Sequence, residues 1–301
     1  MKRSPYFVFL PVLLCALLWG SAFPTIKMVY THWAESGIEV NIFDRWLFAG
    51  VRFTTAGLGL LLIAKKPWKE WQATPKKWVA LLAVSQTLLQ YLFFYLGLAL
   101  SSGSLTALMA ATGSFWWMLL APLMLGTAWP RLRQWMILLL GALGVGLAVY
   151  APGAGAGNPL LGAVCIMLAT LFGAIGILVV SKVKPTMGSR AATGFALFLG
   201  GVGLSLVAIP AWGHFPQLFD GYVIAVTAWL AFVSAIAFAI WNHLSTEYPV
   251  PLLASCRFLI PVSGVLQSLI FLPGESAGWG LVVGGVLVIG SMLYATLTKR
   301  D

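Results

Sequence analysis

The chain has 301 residues, of which 60% are hydrophobic and only 9% are charged, and its formal net charge is +10. Soluble domains carry about 25% charged residues, so this composition excludes a soluble globular protein. Nucleic-acid binding is not predicted from the positive charge, because the basic residues lie in short loops between long apolar runs. These runs have the length of about 20 residues that a helix needs to cross a membrane. The sequence therefore predicts an all-α membrane protein.

The apolar runs and the polar turns between them predict ten transmembrane helices. They are placed at residues 7–30, 46–64, 78–100, 105–126 and 134–150, and at residues 160–181, 191–212, 222–243, 251–272 and 278–297. The run at 151–159 is rich in glycine and proline, so it is predicted to link domains at 1–150 and 160–301. Because each half has an odd number of spans, the second half begins on the opposite side of the membrane and has the inverted orientation. The predicted architecture is therefore two inverted five-helix repeats.

The first span contains Trp19, Pro24 and Lys27 within the run LLWGSAFPTIK. A charge and a proline break are costly in hydrocarbon unless protein or a water-filled cavity receives them. We therefore expect this helix to face a cavity, although Lys27 lies near the outer end and could instead extend to the interface. No small-residue cleavage site follows the basic start of the chain, so the segment is predicted to be a retained helix rather than a signal peptide.

Basic residues predict the orientation of the chain. With the N-terminus in the cytoplasm, fourteen of the 18 Lys and Arg residues fall on the cytoplasmic side: Lys2, Arg3, Lys65, Lys66, Lys69, Lys76, Lys77, Arg131, Arg133, Lys182, Lys184, Arg190, Lys299 and Arg300. This distribution follows the positive-inside rule and predicts that both termini are cytoplasmic. Adding or losing one span would scatter these charges over both sides of the membrane.

Arg52 and Arg257 are predicted to lie deep in the second and ninth spans. No Asp or Glu falls at mid-depth in any predicted span, so their partners are either backbone carbonyls or a bound anion such as a substrate carboxylate. Ion-coupled transport usually relies on intramembrane carboxylates. Their absence from the predicted spans favours uncoupled transport.

Uncharged polar and aromatic residues mark a predicted cavity wall. Gln86 and Gln90 are four residues apart, and Tyr91 and Tyr95 repeat this spacing, so each pair shares a helical face. Further candidates at mid-depth or at span ends are Trp116, Trp117, Trp241, His243 and Ser263. The alternative for the aromatic residues is an interfacial belt or a lipid-facing position.

Three prolines supply candidate hinges, and no cofactor or metal site is predicted. Pro24, Pro122 and Pro261 each remove a backbone hydrogen bond from a predicted helix. Glycines in the fifth and tenth spans predict close helix contacts there. The three Cys and three His residues are scattered, so they form neither a disulfide framework nor metal-ligand spacing.

The pattern resembles a known transporter family. WGSAFPTIK in the first span, Arg52, Pro261 and the pair Gly274 and Glu275 before a glycine-rich last span are similar to EamA-type exporters of the drug/metabolite transporter superfamily. Among these, the chain looks most like bacterial aromatic amino-acid exporters of the inner membrane. The resemblance implies an inverted repeat and a central cavity. It departs from the family pattern where Phe115, Thr127 and Phe172 replace the expected Pro, Glu and Trp.

These observations lead to one main hypothesis and two alternatives. The main hypothesis is an amino-acid exporter working by alternating access, either monomeric or homodimeric, with the bilayer and small metabolites as its partners. The predicted substrate-binding residues are Trp19, Lys27, Gln86, Gln90, Tyr91, Trp116, Trp117, Arg257 and Ser263, with gates at Tyr95, Trp241 and His243. The alternatives are a channel or scaffold and an intramembrane lipid-modifying enzyme, although no cluster of acid/base residues favours the enzyme.

Overall fold

The computed structural model describes four continuous segments of the chain, residues 6–126, 157–248, 259–275 and 278–297. It also describes isolated positions at 129, 132, 136, 139, 140, 143, 144, 147, 253, 256 and 257. The regular structure of these segments is helical throughout. Most of the predicted fifth span and most of the predicted linker lie outside the described residues, as does most of the stretch 251–258 at the start of the predicted ninth span.

Nine longer helices occur in the described segments. They are α1 (Tyr6–Glu35), α2 (Ile42–Ile63), α3 (Lys76–Leu100), α4 (Gly103–Leu125), α5 (Pro159–Val183), α6 (Ser189–Val207), α7 (Gly221–Glu247), α8 (Leu259–Phe271) and α9 (Trp279–Leu297). Helices α1 to α7 are each long and apolar enough to cross a membrane. A seven-residue helix, Pro67–Ala73, precedes α3. The protein is therefore a multi-pass membrane protein, and the part of the chain that the structure describes is helical.

Polar side chains set the beginnings of several helices. Asn41 begins α2 with a capping box, in which its Oδ1 accepts the Asp44 N–H at 3.3 Å while the Asp44 carboxylate accepts the Asn41 N–H at 2.7 Å. This box explains why α2 begins four residues before the predicted span, since it brings polar residues into the first turn. Side chains of Ser102, Asn158 and Asp220 likewise cap α4, α5 and α7.

Helix α6 ends five residues earlier than the predicted seventh span, which extended to residue 212. Helix α6 stops at Val207, and a 3-10 turn, Ile209–His214, follows it. Pro210 lies at the start of this turn, and a proline disfavours the helical conformation of the residue before it. The apolar composition therefore extended the prediction beyond the point where the backbone could continue as an α-helix.

Glycines bring α2 and α6 into close backbone contact. A Cβ added at Gly57 would lie 2.7 Å from the Gly194 carbonyl oxygen and closer still to the Phe198 backbone nitrogen. Gly50 and Gly201 are crowded in the same way against the facing helix. Small residues at such crossings let two membrane helices approach closely. This contact joins α2, before the predicted linker, to α6, after it.

The remaining helices form a bundle in which helices that precede the predicted linker pack against helices that follow it. Helix α1 packs against α7 and α8, α3 packs against α5 and α6, and α4 packs against α5 and α8. Apolar clusters fill these contacts around buried side chains such as Trp33, Phe48 and Trp241. Residues from both sides of the predicted linker therefore surround the middle of the bundle.

Candidate functional site

A cavity lies in the middle of the bundle, and residues of α1, α2, α3, α4, α5, α7 and α8 line it. The space open to the centres of water molecules is about 100 Å³, several times the roughly 10–15 Å³ that one water needs. Its aromatic wall consists of Trp19, Phe23, Tyr91, Phe94, Phe238 and Trp241. Its polar lining residues are Arg52, Gln86, Gln90, Thr170 and Arg257.

Arg52 is fully buried and hydrogen-bonded to neighbouring helices. Its Nε donates to the Leu230 carbonyl at 3.2 Å and to the Ser234 hydroxyl at 3.0 Å, and its Nη1 donates to the Tyr95 hydroxyl at 3.1 Å. Its guanidinium carbon also lies 4.8 Å from the centroid of the Phe53 ring. The Leu230 carbonyl is a partner of the first kind raised by the sequence, a backbone carbonyl, whereas the two hydroxyl partners were not predicted. Arg52 therefore holds α2, α3 and α7 together at one wall of the cavity.

Arg257 enters the cavity with part of its guanidinium unpaired. The Nη1 atom is buried and has no hydrogen-bond partner among the described residues. The guanidinium lies against α4 at Gly113, where an added Cβ would be 2.8 Å from Nη2. The absence of a side chain at Gly113 therefore leaves the room that this guanidinium occupies. A buried guanidinium donor without a partner is costly, and a bound acceptor would satisfy it.

Gln86 lines the cavity, but its amide is engaged by another amide. Its Nε2 donates to Asn242 Oδ1 at 3.2 Å, and the Asn242 Nδ2 donates back to Gln86 Oε1 at 3.2 Å and to the Thr193 hydroxyl at 2.9 Å. Both amide side chains are almost completely buried. This reciprocal pair links α3 to α7 and satisfies polar groups that lipid could not.

Gln90 differs from Gln86 in having its amide available. It is half-buried on the cavity wall, and the structure records no hydrogen bond from its side chain to any described residue. Its Oε1 lies close to α5, where a Cβ added at Gly173 would be 2.7 Å away. Gln86 lies within a six-residue π-helical stretch of α3, Val84–Leu89, and Gln90 follows it directly. Such stretches are frequent at functional sites.

Aromatic side chains enclose the cavity near Trp19. The Trp19 ring packs edge-on against Phe238 at 5.2 Å and lies 5.6 Å from Trp241. Trp241 is almost completely buried and lines the cavity, and its role as a gate stays a prediction. Tyr95, the other predicted gate, is fully buried behind the wall and accepts its hydrogen bond from Arg52. His243 is exposed on the other face of α7.

Several predicted binding residues lie outside the cavity lining. The Trp116 indole donates to the Met167 carbonyl at 3.0 Å, and Trp117 packs in an apolar cluster with α1 and α7. Ser263 accepts a hydrogen bond from Gln267 at 2.8 Å at the crossing of α1 and α8. Lys27 lines a second pocket, about 510 Å³ in volume and open to the surface, together with Tyr30, Glu35 and Arg45. The structure therefore brings six predicted residues together at the cavity: Trp19, Gln86, Gln90, Tyr91, Trp241 and Arg257. Trp116, Trp117, Ser263 and Lys27 lie outside its lining.

The three candidate hinge prolines differ in position. Pro24 and Pro122 lie inside α1 and α4, where each removes a backbone hydrogen bond. Pro261 lines the cavity and is the third residue of the described part of α8. Gly126 ends α4 just after Pro122 in the left-handed conformation, with a φ of 65°.

Two histidine–aspartate contacts join the segment between α6 and α7 to the ends of α1 and α2. His32 Nε2 lies 2.7 Å from an Asp220 carboxylate oxygen, and His214 Nδ1 lies 3.0 Å from one of Asp44. The pKa of Asp220 is below its ordinary value because its carboxylate accepts the Val223 backbone N–H and bonds to His32. The sequence analysis did not identify these contacts, since their partners are up to 188 residues apart.

Some cavity residues were not identified as site residues from the sequence. Three phenylalanines could not be told apart from other apolar residues of the spans: Phe23, Phe94 and Phe238. Nothing in the sequence around Thr170 marked it as a cavity residue. The pairing of Asn242 with Gln86 was not identified either. Gly113 was likewise not identified, because only the structure shows that it faces the Arg257 guanidinium.

Comparison with known proteins identifies part of the chain. Residues 7–150 match the model of the EamA-like transporter family. One solved crystal structure, described only as that of a protein, aligns with a TM-score of 0.62 over 99% of this chain and 99% of its own, at 18% sequence identity. That identity is low enough that the likeness shows a shared fold alone. No curated protein matches the chain in sequence.

Proposed function

We propose that this protein, whose residues 7–150 carry an EamA-like transporter domain, exports amino acids and related small metabolites across a bacterial inner membrane, with aromatic amino acids favoured. The observation that carries the proposal is the cavity in the middle of the bundle, with guanidinium, amide and aromatic groups on its wall. Substrate sites near the bilayer midplane are typical of transporters built from inverted repeats.

The proposed architecture is ten transmembrane helices in two inverted five-helix halves, 1–150 and 160–301, joined by 151–159, with both termini in the cytoplasm. The bundle supports this proposal because its cavity is lined from both halves, by α1 to α4 on one side and by α5, α7 and α8 on the other. Movement of one half against the other would open such a cavity to alternate sides of the membrane. The working unit is proposed to be a monomer or a homodimer.

Three cavity residues have proposed roles in substrate binding. Arg257 would receive the substrate carboxylate, because its guanidinium retains an unpaired donor among the described contacts. Gln90 would hydrogen-bond to the polar end of the substrate through its available amide. Trp19 would stack on the aromatic side chain, as tilted and offset aromatic pairs do in protein interiors.

Lys27 and the gate residues have proposed roles along the path. Lys27 lies in the surface pocket with Arg45, so it would attract the carboxylate outside the central cavity. Trp241 would close the inner side of the cavity, and Tyr95 and His243 are the remaining gate candidates. Downhill movement without a coupling ion is proposed, since the described cavity lining contains no Asp or Glu.

Efflux of labelled tryptophan from proteoliposomes containing the purified protein tests the proposal. We expect saturable efflux above that of protein-free liposomes, and at least a roughly tenfold loss in Gln90→Ala and Trp19→Ala. Trp229→Ala is the matched control, because Trp229 is exposed on the outside of α7. Absence of flux of any amino acid would refute the function, whereas non-saturable flux would favour the channel alternative.

A further inference from the structure

The described lining of the central cavity carries two guanidinium groups and no carboxylate. Arg52 and Arg257 both line the cavity, and neither Asp nor Glu occurs among the described residues of its wall. A charge held inside the membrane requires a partner of opposite sign or a set of oriented dipoles. The electrostatics of the wall therefore favour a guest that brings negative charge.

The two guanidiniums are not equivalent. Nε and Nη1 of Arg52 donate to Leu230, Ser234 and Tyr95, so these donors are used within the protein. Arg257 has a buried Nη1 without a partner among the described residues. A guest with an acceptor group would therefore gain most at Arg257, where the protein leaves a donor unsatisfied.

The wall offers little to an ammonium group. An ammonium has three donors and no acceptor, so it is best received by carboxylates or by several carbonyl oxygens. The Gln86 carbonyl oxygen already accepts from Asn242, which leaves the Gln90 carbonyl oxygen and the hydroxyls of Tyr91 and Thr170 as side-chain acceptors in the described lining, and none of them carries a negative charge. An ammonium placed among aromatic rings would gain a cation–π interaction, but it would also be repelled by the two guanidiniums.

We infer that the cavity selects aromatic monocarboxylates and that an amino group on the substrate is dispensable. The carboxylate binds Arg257, the Gln90 amide N–H donates to the same carboxylate, and the planar body lies between Trp19 and the phenylalanines of the wall. This inference rests on the proposed transport function and narrows it from zwitterions to anions. Under it, an amine-free acid is carried at least as well as the corresponding amino acid.

Three compounds that share a phenyl ring and a short chain test the inference. Efflux of labelled phenylalanine, 3-phenylpropionate and phenethylamine is measured from proteoliposomes of the full chain, with the leak from protein-free liposomes subtracted. We expect 3-phenylpropionate flux equal to or above that of phenylalanine and phenethylamine flux at background. Transport of phenylalanine without transport of 3-phenylpropionate would overturn the inference while leaving the proposed function in place. No flux of any of the three would overturn both.

Arg257→Gln tests which guanidinium binds the carboxylate. We expect a drop of about tenfold or more in 3-phenylpropionate flux, as for the loss of a charge-assisted hydrogen bond. Arg190→Gln is the matched control, because Arg190 is exposed at the start of α6 and away from the cavity. Stabilisation of the purified protein by 3-phenylpropionate in a thermal unfolding assay gives a readout independent of flux. Unchanged flux and unchanged stabilisation in Arg257→Gln would overturn the assignment to Arg257.

Discussion

The Glu275 carboxylate accepts hydrogen bonds from both the backbone N–H and the hydroxyl of Ser104, a residue that precedes it by 171 positions. It also accepts the backbone N–H of Gly103, so it closes the N-terminus of α4. The first N–H groups of a helix lack helical partners and carry a partial positive charge, which an anion stabilises. Gly274 supports this placement by turning the chain with a φ of 81°.

Replacing Glu275 with Gln should lower the free energy of unfolding by about 1–2 kcal/mol, because the side chain keeps its shape and loses its charge. The measurement is an SDS titration of the purified protein in mixed micelles. Glu39→Gln is the control, since Glu39 is exposed in the loop before α2. Equal stability of Glu275→Gln and the parent would show that the cap does not depend on charge.

Arg52→Gln should destabilise the protein more than Tyr95→Phe. Removing the guanidinium leaves the Tyr95 and Ser234 hydroxyls without their buried partner, which should reduce the free energy of unfolding by about 2–4 kcal/mol. Tyr95→Phe removes one hydrogen bond to the charged guanidinium and leaves the other Arg52 contacts in place, so a smaller loss of about 1.5–2 kcal/mol is expected. The same SDS titration measures both variants. An equal or greater loss in Tyr95→Phe would contradict the central role of Arg52 in this contact.

Gly57→Ala should destabilise the crossing of α2 and α6 by about 1–3 kcal/mol, because its new methyl group would overlap the backbone of the facing helix. Gly59→Ala provides the matched control two residues away. Gly59 is exposed and has no atom of the described structure within 4 Å of an added Cβ. It should therefore be neutral or slightly stabilising, since Ala favours a helix over Gly. If both variants had the same unfolding midpoint, the helices would not be in close contact.

Asp220→Asn should make the protein less stable at neutral pH, and the difference should disappear in acid. The hydrogen bonds from Val223 and His32 lower the pKa of the folded Asp220 carboxyl. Its contribution is therefore present above the ordinary carboxyl pKa of about 3.9 and is lost as the pH falls through the lower folded value. Asn remains a good N-cap, so the substitution isolates the charge. Melting temperatures of both proteins over a pH series measure the effect, and a constant difference at all pH values would refute it.

Hydropathy was sufficient to predict most helix positions, because the length of an apolar run is a property of the sequence alone. Helix α3 begins two residues before the predicted third span and ends with it at Leu100. The deep position of Arg52 also implied carbonyl or anionic partners, and the Leu230 carbonyl is one of those found. Boundaries failed where local chemistry overrode composition, as at the Asn41 capping box and before Pro210.

The candidate site was harder to predict because it depends on how the helices are rotated about their axes. Trp116 and Trp117 were correctly placed in a helix that lines the cavity, but their side chains face α5 and an apolar cluster instead. The pairing of Gln86 with Asn242 joins residues 156 positions apart, and neither position alone indicates the other.

The glycine contacts did leave a signal in the sequence. Gly50 and Gly57 are seven residues apart, as are Gly194 and Gly201, which places each pair on one helical face. The sequence interpretation instead weighted the denser glycines of the fifth and tenth spans. For α2 and α6, spacing on a face therefore indicated the contact, whereas the close contacts predicted for the fifth span fall mostly outside the described residues and stay a prediction.

The wide turn at Val84–Leu89 has a geometric consequence for everything that follows it in α3. A π-helical turn contains one residue more than an α-helical turn, so it acts as a single-residue insertion. Deleting one residue from this stretch would rotate Gln90 and Tyr91 by about 100° relative to the preceding half of the helix. The extra residue in the π-helical turn therefore sets the direction in which Gln90 and Tyr91 project from the helix. A point substitution that keeps the turn does not change that direction.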